Sequence, residues 1–65
     1  LLLDKIDRRL LYELSIGTKT KDLPIILPLS IAGVEKRKRN LKSIFNVSKL
    51  EDKDLIEKAR EKGFI

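Results

Sequence analysis

The chain has 65 residues, a formal net charge of +5, and no Cys, His or Met. A chain this short makes one small domain that buries only about 60% of its unfolded surface, so its core is thin. Without Cys or His, disulfides, thiolate and imidazole metal sites, and Cys- or His-based catalysis are all excluded.

The first helix is expected over residues 3–16. Ile6, Leu10, Leu11 and Leu14 fall on one stripe of a 3.6-residue period. Asp4 is placed to cap it, with Asp7 where a capping box puts an acid. Gly17 ends it, because glycine alone takes the left-handed position after a helix at little cost. The opening "LLLDKIDRRL" turns charged at its fourth residue, which leaves no room for a signal-peptide core.

A second, shorter helix lies in "TKTKDLPIILPL". Thr20 is its expected cap, and Leu23, Ile26 and Leu27 its inner side. Pro24 must fall in the first turn, since deeper in a helix it costs about 3 kcal/mol. Pro28 stops the helix near Leu27. "LPLS" then forms a tight turn, and Ser30 caps the third helix, expected over residues 31–46. The run "LPIILPLSIAGV" is too short and too proline-rich to cross a bilayer.

In the third helix Ile31, Val34, Leu41, Ile44 and Phe45 are expected to face inward. Lys36, Arg37, Lys38, Arg39 and Lys42 crowd five cations into seven residues. Lys38 falls at an inward position, four residues after Val34 and three before Leu41. Its stem is expected to pack while the ammonium snorkels to water. "NVSKLEDK" connects to a last helix capped by Ser48 or Asp52. Leu55, Ile56 and Ala59 form its inner side, Gly63 stops it, and Phe64-Ile65 fold back. Asp52, Asp54, Glu57 and Glu61 alternate with lysines on what reads as a solvent face. No strand or repeat is predicted, so the fold class is all-α with four helices in one domain, 1–65.

The charge is unevenly placed. Residues 19–42 hold seven basic side chains against two acids, a net of +5, while the remainder carries eight of each sign. Excess charge confined to the middle third points to a polyanionic partner. A short helix, a four-residue turn and a longer basic helix trace the outline of a helix-turn-helix.

The residues resemble one family over essentially the whole chain. Leu3, Leu11, Leu14 and Gly17, then Lys21-Asp22-Leu23, Leu27 and Leu29-Ser30, then Val34, Asn40-Leu41, Phe45 and Val47, stand at the spacing of LuxR/NarL-type DNA-binding domains. The closing "AREKGFI" is similar to that family's ending. Pro24, Pro28, Gly33, Arg37 and Lys38 depart from its pattern.

The resemblance implies a tetrahelical domain that binds double-stranded DNA as the effector domain of a two-component response regulator. It implies an upstream receiver, so the 65 residues are expected to be a fragment of a longer, cytoplasmic protein. It also implies that the third helix enters the major groove. By position, Glu35, Lys36 and Arg39 would read bases, while Lys19, Lys21, Ser30, Arg37 and Lys42 would contact phosphates. A weak homodimer through the fourth helix and contact with RNA polymerase are further expectations. No enzymatic activity, cofactor, metal, membrane or small-molecule ligand is expected. Two other readings remain open: a protein-interaction module of the same fold that docks an acidic partner, and a sigma-factor-like promoter-reading segment. Glu35 has a competing reading too, as an i,i+4 ion pair with Arg39.

Overall fold

The computed structural model describes residues 3–46 and 51–65. They form α1 (Lys5–Ser15), a 3₁₀ turn (Thr20–Asp22), α2 (Leu23–Ile26), α3 (Ile31–Ile44) and α4 (Asp52–Glu61), with no strand among the described residues. The all-α, four-helix class therefore holds. Val47 and Ser48 lie outside the described residues, and with them the question of a Ser48 cap; Asp52, the other expected cap, is instead the first residue of α4, whose N-cap position belongs to Glu51.

The starts of α1 and α3 and the ends of α1 and α4 have local causes. The Asp4 carboxylate accepts the Asp7 backbone N–H at 2.7 Å and fixes the start of α1. At its end Gly17 adopts φ +89°, and two backbone bonds close the last turn: Gly17 N–H to Leu14 at 3.1 Å and Thr18 N–H to Glu13 at 3.0 Å. This pair satisfies carbonyls that the helix itself cannot. The same arrangement ends α4, where Gly63 N–H reaches Arg60 and Phe64 N–H reaches Ala59. It turns Phe64 back onto the body, its ring 5.8 Å from that of Phe45.

The second segment is not one helix. Thr20 does not cap it; it is the first residue of a 3₁₀ turn whose N-cap position belongs to Lys19. Pro24 explains the break. It has no N–H to give to the Thr20 carbonyl, so an i→i−4 ladder cannot run through it. Leu23 donates to that carbonyl instead, and α2 keeps Pro24 in its first turn. Leu27 is extended (ψ 149°), as a residue before proline must be. Ser30 then caps α3, its Oγ accepting from Gly33 N–H at 3.1 Å.

The core is aliphatic. Leu10, Leu11 and Leu14 of α1 meet Leu23 and Leu27, then Val34, Leu41 and Phe45 of α3, and Leu55 and Ala59 of α4. Burying each of these leucines contributes about 1.5–3 kcal/mol. Ile26, Ile31 and Ile44, expected inside, are exposed. Ile44 lies one residue, about 100°, away from the stripe that Phe45 occupies. Among the described residues, no helix is long and apolar enough to cross a membrane.

Candidate functional site

Helix α3 carries five cations against Glu35, a net charge of +4, and the cations divide into two groups. Three are tied down. Arg37 Nη1 bonds Asp4 Oδ2 at 2.9 Å and Asp7 Oδ1 at 3.0 Å, spanning from α3 to the start of α1. The hydrogen bonds that it donates to Asp4 and Asp7 raise the Arg37 guanidinium above its ordinary value. Arg37 in turn holds the Asp4 carboxyl below its own, helped by the Asp7 backbone N–H.

Lys38 is the second. Its ammonium does not snorkel. It is buried, bonded to Thr20 Oγ1 at 2.9 Å and Asp52 Oδ2 at 2.9 Å, with Glu35 Oε1 at 3.6 Å. A charge held this far from water requires close partners, and the 3₁₀ turn and α4 supply them. Lys42 is the third, buried with Nζ 3.5 Å from Asp52 Oδ1. Asp52 is thus no solvent-face carboxylate but the hub that joins α4 to α3. Asp54, expected beside it in solvent, is half-buried and its Oδ2 finds no hydrogen-bond partner among the described residues.

Two cations remain open. Lys36 and Arg39 are exposed and make no ion pair or side-chain hydrogen bond among the described residues. Glu35 is also exposed, but it leans toward Lys38 rather than Arg39, so the expected Glu35–Arg39 pair does not restrain the guanidinium. Around the helix, Ala32, Lys36, Arg39, Asn40 and Ser43 form one continuous exposed surface. Lys19 and Lys21 are exposed on either side of Thr20, in the turn that Lys38 pins to α3. Ser30 is exposed, its oxygen engaged as the α3 cap.

Of the expected base-facing residues, Glu35, Lys36 and Arg39, all three are brought together on one side of α3. Of the expected phosphate contacts, Lys19, Lys21 and Ser30 are accessible, whereas Arg37 and Lys42 are committed to internal acids. The physical reason is register. Lys42 lies one turn after Lys38, on its inner flank, and Arg37 faces the N-terminus of α1.

Asp4, Asp7 and Asp52 as partners of α3 were not visible from spacing. Neither was the buried carboxylate of Glu13, which accepts from Thr18 Oγ1 and Arg9 Nε, both at 2.8 Å. Those bonds, Thr18 first, hold Glu13 below the usual carboxylate range. One signal was available: a lysine at an inward position demands a partner.

Compared with known proteins, the chain matches no family model, no curated protein and no solved structure.

Proposed function

We propose that this domain binds double-stranded DNA by laying the outer surface of α3 in the major groove. It would do so as a cytoplasmic transcription-regulating effector domain of the LuxR/NarL response-regulator kind. The observation that carries the reading is the division of charge on α3. Among the described residues Lys36 and Arg39 stand unpartnered on an exposed surface, while Arg37, Lys38 and Lys42 fasten the same helix to α1, the 3₁₀ turn and α4. A helix held in this way loses little conformational freedom on docking, which favours affinity.

In this reading Arg39 forks onto guanine O6 and N7, Lys36 reaches the same class of acceptor, and Glu35 accepts from cytosine N4. Lys19, Lys21 and Ser30 contact phosphates and set register. Arg37 and Lys42 drop out of the phosphate set, because moving them to DNA would strip Asp4, Asp7 and Asp52 of their partners. Pairing of two copies through the charged outer side of α4 would be weak without DNA. RNA polymerase is a partner only in the full regulator.

The test is duplex affinity against salt, followed by selection from a random duplex pool. The two cationic phosphate contacts, Lys19 and Lys21, give a slope of log K on log salt of about −1.8, against about −3.6 if Arg37 and Lys42 also took part. Arg39→Ala should flatten preference at one base pair of each site. A domain that ignores duplex DNA at low ionic strength would refute the reading and favour an acidic protein partner.

A further inference from the structure

Reading a base edge takes a side chain that is exposed, free of internal partners, and carries the right donors and acceptors. Asn40 meets all three requirements. It is exposed on α3, its amide has no hydrogen-bond partner among the described residues, and it offers both an N–H donor and a carbonyl acceptor. It lies one turn beyond Lys36 on the same outward side, about 6 Å along the axis. Base pairs are about 3.4 Å apart, so Asn40 and Lys36 address different pairs. An asparagine amide matches adenine, accepting from N6–H and donating to N7. Guanine presents two acceptors at the same edge and leaves the carbonyl opposed.

The surroundings favour the same pair. Asn40 borders a shallow groove between α1 and α3 that is lined by charged Asp7, Lys36 and Arg37 as well as by apolar Leu29, Gly33, Leu41 and Ile44. Within that mixed lining the exposed Ile44 side chain suits the thymine methyl that an A·T pair brings into the major groove and a G·C pair lacks. Resting on the DNA-binding reading above, we infer that Asn40 is a specificity-determining residue that reads adenine, next to the pairs addressed by Lys36 and Arg39.

The experiment compares the protein with Asn40→Ala on the duplex selected by the unaltered chain, and on the same duplex carrying 7-deazaadenine, which lacks the N7 acceptor. The unaltered protein should select adenine at one position and lose about 10-fold in affinity on the deaza duplex, as loss of a bidentate contact predicts. Asn40→Ala should be indifferent to the deaza base and to the identity of that pair. Its thermal melting should be unchanged or raised, since alanine is the better helix former, so lost selectivity is not lost folding. An adenine preference that survives in Asn40→Ala, equal weakening of all sequences, or an equal deaza penalty in both proteins would each overturn the assignment. Failure of the unaltered protein to bind any duplex at low salt would instead remove the parent reading and this inference with it.

Discussion

Replacing Asp52 with alanine tests whether the ammonium of Lys38 is truly confined. The substitution removes the 2.9 Å ion pair, together with the longer 3.5 Å contact to Lys42, and leaves Lys38, its side chain only 9% exposed, with the Thr20 hydroxyl and a carboxylate 3.6 Å away. Stripping one partner from a fully buried pair costs about 3–5 kcal/mol. Asp52 is itself 37% exposed, so water takes up part of the loss and about 2 kcal/mol is expected, in line with a charged hydrogen bond.

A domain of this length holds about 3–10 kcal/mol in total, so the change is a large fraction of it. Urea unfolding followed by circular dichroism should show the midpoint falling by about 2 M, taking a slope near 1 kcal/mol per M for so small a protein. Lys38→Met keeps the packed stem and removes the charge. Added to Asp52→Ala it should recover much of the stability, because the cost lies in the unpaired buried ammonium. A single Asp52→Ala variant within 0.5 kcal/mol of the parent, a limit typical of plain surface changes, would mean that Lys38 simply swings into water.

Lys42→Ala should lower stability while leaving the salt slope of DNA binding unchanged, whereas Lys21→Ala should reduce that slope by about 0.9; fluorescence anisotropy across a salt series separates the two. Asp4 sits below its ordinary value of 3.8 because Arg37 and the Asp7 N–H bond its charged form. Its contribution is therefore complete above that value and lost as pH falls through the depressed one. Asp4→Asn should remove this part of the acid dependence of unfolding and leave a protein less stable at pH 7. The glycines should split in sign. Gly17→Ala forces a side chain into φ +89° and should cost about 1 kcal/mol, while Gly33→Ala, in a helix with room for its methyl, should gain about 0.5–1 kcal/mol. Denaturant midpoints check both.

The sequence by itself determined the elements. Caps at Asp4 and Ser30, breaks at Pro28, Gly17 and Gly63, and the leucine periods act within a turn or two of chain, and the boundaries at those points come out where local chemistry puts them. Where local rules competed, as with Thr20 and Pro24, the missing N–H outweighed the cap and divided a helix. The exposed trio Glu35, Lys36 and Arg39 was legible for the same reason, since helical spacing alone puts them together. Only tertiary structure decided which cations stay available. Arg37 is neutralised by acids about thirty residues away in sequence, and Lys38 and Lys42 by one from the start of α4. Coulomb attraction depends on distance in space, and packing of the leucine core sets that distance. A run of five like charges is thereby divided into three that hold the helix and two that it presents to solvent.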